Sequence, residues 1–194
     1  MASDTSNKLG RLLSSVQPSH MPAASYWNAL LWMNLSKPSC DCALYRRVLK
    51  SKPCRIVELG VGDLTRAVRV IALAQRSHSD TIHYCGIDLF EARSEQPLML
   101  KEAYRQLAPS GAKVRLVPGD LLPALARTAN MLTASDLLII DARVSPADLE
   151  SVLQFLPRML SPATAVARYE LKNAQPCLRW IKPESFLPAL RPAA

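Results

Sequence analysis

Two glycines one residue apart, Gly60 and Gly62, follow an apolar run that reads Ile56-Val57-Glu58-Leu59. Three further carboxylates, Asp88, Asp120 and Asp141, lie at or just past the ends of other apolar runs. A strand that turns sharply into a helix on glycine leaves backbone open to a ligand, because a side chain there would block the turn or the approach. Carboxylates aligned along one rim can accept hydrogen bonds from hydroxyl pairs and amines. The combination suits a nucleotide-type ligand.

The elements that would position these residues alternate strand and helix after Pro53. Strands are predicted over 55–59, 82–87, 113–117, 137–140 and 163–168. A helix starts near Leu64, with Leu64, Ala67, Val68 and Ile71 on one face, and another covers about 97–107. Ser145-Pro146-Ala147-Asp148 has the form of a helix start, with serine as cap and proline in the first turn. Leu149, Val152, Leu153 and Leu156 would be that helix's buried stripe. Such alternation implies an α/β, Rossmann-like, doubly wound and mostly parallel sheet. The fourth strand is apolar throughout and the first nearly so, which makes both central, whereas the mixed third strand suits an edge. Order 3-2-1-4-5 follows, with a ligand crevice at the switch point between strands one and four. Ahead of this Rossmann-like domain (55–194), residues 1–54 form an N-terminal helical cap, with helices over about 24–35 and 42–50.

The chain has 194 residues, enough for one domain with a full core. No apolar run approaches the ~18 residues of a membrane span, and the first residues lack a signal peptide's apolar core, so a cytoplasmic protein is expected. The net charge of +8 is uneven: residues 1–55 carry +6, 56–170 carry −1 and 171–194 carry +3. Basic flanks on a near-neutral centre suit an anionic partner, nucleic acid included, and equally suit plain solubilisation of peripheral helices. The five cysteines lack zinc spacing and read as reduced thiols.

Four segments in order, Ile56-Val57-Glu58-Leu59-Gly60-Val61-Gly62, Gly86-Ile87-Asp88, Val117-Pro118-Gly119-Asp120 and Leu137-Leu138-Ile139-Ile140-Asp141, resemble the motifs of class I S-adenosylmethionine-dependent methyltransferases. The resemblance covers about residues 55–170 and is nearest in pattern to small-molecule O-methyltransferases of the catechol type. It implies S-adenosylmethionine as cofactor and methyl transfer to a small-molecule acceptor. It further implies that Asp88 accepts from the ribose hydroxyls and that Asp120 or Leu121 meets the adenine. Gly60 and Gly62 would admit the amino-acid tail, Glu58 would order amides or water near its amino group, and Asp141 would lie near the methyl group. Each acid also has a structural role open to it: Asp120 can cap the helix at Leu121, and Asp141 can order the loop after it.

Three departures from that pattern stand out. Leu64 takes the place of a third glycine. The metal-binding Asp-Asn pair after the fifth strand is replaced by Arg168-Tyr169, and since arginine cannot ligate a cation, no metal is expected. An antiparallel strand pair usually completes the sheet; Cys177–Ile181 could supply one strand, and a truncated edge could stay short or be covered by a partner subunit in a homodimer. Asp141 and Tyr169 are the catalytic candidates, with Glu170, His20 and Tyr26 behind them, although methyl transfer needs a base only for weakly acidic acceptors. Two other classes stay open. One is a nicotinamide (NAD(P))-dependent oxidoreductase, whose fingerprint wants glycine where Thr65 stands. The other is a non-catalytic methyltransferase-like module that binds RNA or protein through its basic flanks.

Overall fold

The computed structural model describes residues 39–77 and 80–186. The helix expected over 24–35, and the candidates His20 and Tyr26, lie outside the described residues. Six strands form one sheet in the order β3-β2-β1-β4-β5-β6. These are β1 (Arg55–Leu59), β2 (His83–Asp88), β3 (Lys113–Pro118), β4 (Leu137–Ile140), β5 (Ala165–Lys172) and β6 (Gln175–Ile181). The first five pair in parallel and β6 runs antiparallel to β5. All of β4 and all of β1 but Arg55 are buried, as the apolar runs required of central strands.

Helices cover both faces. On one side α1 (Cys40–Ser51), α2 (Thr65–Ser77) and α3 (Leu100–Leu107) pack on Ile56, Tyr84, Ile139 and Tyr169. Leu44, Tyr45 and Val48 of α1 are fully buried there, so this helix is built into the core of the sheet domain. On the other side α4 (Leu121–Thr128), α5 (Pro146–Val152) and the single turn α6 (Leu156–Met159) cover Val57, Ile87, Leu138 and Ile140. Ser145 caps α5 as its sequence predicts, its hydroxyl accepting from the Asp148 amide at 3.0 Å.

Several local expectations are corrected. The buried stripe of α2 runs Ala67, Val70, Ile71, Ala74, and Val68 is half-exposed. The phase shifts because Leu64 has a left-handed backbone, φ +68°, and stands outside the helix whose periodicity it seemed to begin. Leu153 likewise turns outward, where α5 tightens into a 3₁₀ turn over Leu153–Phe155. β5 extends past 168 to Lys172 because β6 pairs with it along its whole second half. The two-residue turn between them, Asn173-Ala174, has positive φ at both positions, the twist a tight hairpin requires. The sheet edge therefore carries one antiparallel strand, which includes the Cys177–Ile181 segment.

Leu64 has the left-handed backbone that favours glycine while carrying a large side chain. A left-handed conformation costs an L-residue about 1–2 kcal/mol. Leu64 is fully buried, and losing such a side chain costs about 2–5 kcal/mol, so packing outweighs strain. Leu64→Ala keeps the strain and loses the packing, whereas Leu64→Gly loses the packing and relieves the strain. Urea unfolding is expected to rank wild type above Leu64→Gly and Leu64→Gly above Leu64→Ala by about 1 kcal/mol, reversing the usual advantage of alanine over glycine.

Candidate functional site

A cleft of about 450 Å³ opens at the carboxyl ends of the strands, beyond the adjacent β1 and β4, where the strand order reverses. Its walls include Gly60, Ile87, Asp88, Leu89, Arg93 and Asp120. Leu121, Arg143 and Val144 close the far side. Of the residues expected from sequence, Gly60, Asp88, Asp120 and Leu121 thus meet in one cavity. Gly62 abuts it through Arg143, while Glu58, Asp141 and Tyr169 lie beneath or beside it.

The glycine turn is shaped by close approach. Gly60 has φ +82°, and a Cβ there would lie 2.7 Å from the Asp141 Cβ. Gly62 has φ +69°, and its Cβ would lie 2.7 Å from a terminal nitrogen of Arg143. The turn is clamped from the β2 end as well. The Val61 amide donates to Asp88 Oδ2 at 2.5 Å and the Gly62 amide at 3.3 Å. Asp88 Oδ1 accepts from the Leu89 amide and from Arg93 Nε, both at 2.7 Å. Arg93 Nη1 donates onward to the Gly62 carbonyl at 2.9 Å. Burial pushes the Asp88 carboxyl up, but the hydrogen bond and charge of Arg93 outweigh it and hold the group below the usual carboxylate range.

Beneath the turn lies a buried charge network. Arg66, from the first turn of α2, donates from Nε to Glu58 Oε1 at 2.6 Å and from Nη2 to Asp141 Oδ2 at 2.7 Å. It also reaches the Gly60 carbonyl, and its guanidinium stacks 4.5 Å from the centre of the Tyr169 ring. Glu58 is fully buried and accepts a second bond from the Tyr84 hydroxyl at 2.5 Å. Burial pushes its carboxyl up, opposed by the Arg66 charge and the Tyr84 hydrogen bond. Asp141 Oδ1 accepts from the Arg143 amide at 3.0 Å and from Arg143 Nε at 2.8 Å. Burial raises the Asp141 carboxyl too, yet the hydrogen bond of Arg143 and the charge of Arg66 carry it below its ordinary value.

Tyr169 does not reach the cleft. Its hydroxyl donates to Asp41 Oδ1 of α1 at 2.6 Å, and burial together with the Asp41 charge pushes the phenol far up, the reverse of what a general base needs. Asp120 does the opposite of what a cap would do: it begins α4 without bonding the helix amides, and its carboxylate is exposed at the cleft rim. Arg168 ends the pairing of β5 with β4, opposite Ile140, and contacts Glu170 at 3.6 Å. Arg66, Arg93 and Arg143 were not singled out from the sequence. The one available signal was an arginine two or five residues after a strand-end acid, Asp141 to Arg143 and Asp88 to Arg93. Among the described residues no cluster of histidine, cysteine, aspartate or glutamate is arranged to hold a metal, and no helix is long and apolar enough to cross a membrane.

No protein-family model and no curated protein matches the sequence. Solved structures do match. CalS11, a TDP-rhamnose 3′-O-methyltransferase of calicheamicin biosynthesis, has a TM-score of 0.54 and 22% identity over 86% of this chain and 76% of its own. TomG, an O-methyltransferase of Streptomyces achromogenes solved with S-adenosylmethionine, gives 0.50 and 18% over 84% and 71%. A proposed protein-L-isoaspartate O-methyltransferase of Plasmodium falciparum, in complex with S-adenosyl-L-homocysteine, gives 0.51 and 11% over 76% and 66%. The described residues share the fold of these methyltransferases.

Two outcomes follow from the charge network. Arg66→Met leaves Glu58 and Asp141 buried without their shared cation and is expected to cost about 3–5 kcal/mol in chemical denaturation. Asp88 and Asp141, depressed in the folded state, contribute stability above the ordinary carboxylate pKa and lose it as pH falls. Melting temperature should therefore drop between about pH 5 and pH 2, and Asp141→Asn should flatten that limb of the curve.

Proposed function

We propose that the chain is an S-adenosylmethionine-dependent methyltransferase with a small-molecule acceptor. The observation that carries this reading is the meeting of Gly60, Asp88, Asp120 and Leu121 in one cleft at the switch point of the sheet. The sugar O-methyltransferase CalS11 and the O-methyltransferase TomG among the structural matches support the small-molecule acceptor.

The residues present fit the cofactor. The cavity lies within the ~300–1,000 Å³ of ligand sites. Ile87, Leu89, Leu121 and Leu122 offer apolar walls for a purine, and the Asp120 carboxylate, free of a capping bond, can accept from its exocyclic amine. Asp88 stands where a ribose would lie against the end of β2. When bound, S-adenosylmethionine supplies an activated methyl group and a thioether leaving group, so the protein's task is alignment and exclusion of water.

The chain's own groups divide that task. The glycine turn, fixed by Asp88 and Arg66, sets the floor of the cleft. Asp141 is read as a positioning and electrostatic group: with both oxygens occupied by arginine and its pKa depressed, it is a poor proton acceptor. Tyr169 is read as a support for Arg66 through its ring. Neither Asp141 nor Tyr169 is then the group that deprotonates the acceptor.

A thermal melt with S-adenosylhomocysteine tests the reading. A ligand at ~100 times its dissociation constant adds about 2.7 kcal/mol, which for a chain of this size raises the melting temperature by roughly 5–10 °C. Asp88→Ala should abolish the shift and Asp120→Ala should reduce it. Stabilisation by NAD and not by S-adenosylhomocysteine would overturn the reading in favour of the oxidoreductase.

A further inference from the structure

The carboxylate assigned to the ribose already has its donors. Asp88 Oδ1 accepts from the Leu89 amide and Arg93 Nε; Oδ2 accepts from the Val61 and Gly62 amides and meets Arg93 Nη2 at 2.7 Å. A carboxylate offers about four lone-pair sites, and five protein donors surround this one. A guanidinium and a vicinal diol approach a carboxylate in the same way, each with two side-by-side donors. Arg93 therefore stands in for the two ribose hydroxyls.

We infer that Arg93 is an internal competitor for the cofactor ribose, a latch that must swing off Asp88 before an adenosine can be held there. This deepens the methyltransferase reading and rests on it. The latch is made to be displaced. Its Nη2, though buried, makes no hydrogen bond of good geometry, only the ion contact with Asp88. The backbone that carries it is fixed independently: the Ala92 and Arg93 amides close a 3₁₀ turn on Leu89 and Phe90, and Glu91 caps α3 through the Leu100 amide at 2.6 Å. Release thus needs side-chain rotation alone, towards the open cleft that Arg93 itself lines. While latched, the Arg93 Nη1 bond to the Gly62 carbonyl holds the glycine turn. Binding of the ribose then exchanges one clamp for another, and the affinity seen is the intrinsic affinity scaled by the fraction unlatched.

Titration calorimetry with S-adenosylhomocysteine and its 2′-deoxy analogue, on wild type and Arg93→Met, tests this. Methionine keeps the unbranched apolar stem of the side chain and cannot donate. Freeing charge-assisted acceptor sites should tighten S-adenosylhomocysteine by about tenfold or more, while the deoxy analogue, one hydroxyl short, should gain clearly less. A merely structural role for Arg93 would move both ligands by the same factor. Equal gains, or unchanged or weaker binding by a folded Arg93→Met, overturn the latch and leave the cofactor reading standing. No binding of S-adenosylhomocysteine by either protein overturns both. If Arg93→Met does not fold, Arg93→Lys carries the same test, since lysine keeps the charge and cannot fork across both oxygens; it is expected to gain in the same order.

Discussion

One buried cation ties the sheet together at the place where it opens. Arg66 reaches from α2 to Glu58 on β1, to Asp141 past β4, to the carbonyl of Gly60 and across the ring of Tyr169 on β5. Tyr84 of β2 completes the set through Glu58. Four of the six strands thus converge on one guanidinium, only 13% exposed. Taking a cation and two carboxylates out of water is expensive, and it is tolerated only because nearly every donor and lone pair is used. The return is geometric. The glycine turn, the start of α2 and the end of β4 cannot shift relative to one another without breaking a charge-assisted bond.

That rigidity also decides what chemistry the acids can do. Asp141 stands where a base could act, yet two arginines occupy both its oxygens and hold its carboxyl below its ordinary value. Tyr169 looks like a base by its place after the fifth strand, and its hydroxyl is spent on Asp41 of α1. What Asp141 and Tyr169 lend the rim is fixed placement of its backbone and of Arg66, not proton transfer.

The parallel strands and their order were legible because the central strands, buried on both faces, read as nearly unbroken apolar runs, and because the runs of β1, β2 and β4 ended in a glycine or an acid. The same logic brought Gly60, Asp88, Asp120 and Leu121 to one rim. What was not legible has a common cause. The partners of Glu58, Asp88 and Asp141 are arginines on helices and loops whose side chains fold back across the strand ends, and no periodicity reports such a return. Tyr169 and Asp41 are separated by 128 positions. The phase of α2 misled for a local reason: Leu64 has the hydrophobicity of a helix residue and the backbone of a glycine. The hairpin before β6 was hidden because its turn is Asn173-Ala174, and alanine is not a residue that announces positive φ.

The three acids and three arginines of the cleft floor bear on recognition as a group. Glu58, Asp88 and Asp141 are matched by Arg66, Arg93 and Arg143, each within 2.8 Å of a carboxylate oxygen. A matched floor projects little net field into the cavity, whose remaining charged lining, Glu95, Asp120 and Asp148, is acidic. A ligand can be held there by directional hydrogen bonds that replace existing ones, at Asp88 above all, or by lining carboxylates such as Asp120, which makes no bond to its own helix. Selectivity in such a site comes from which donors a ligand can substitute for which protein groups. A cis-diol meets that condition against a guanidinium fork; a single hydroxyl or an amine does not.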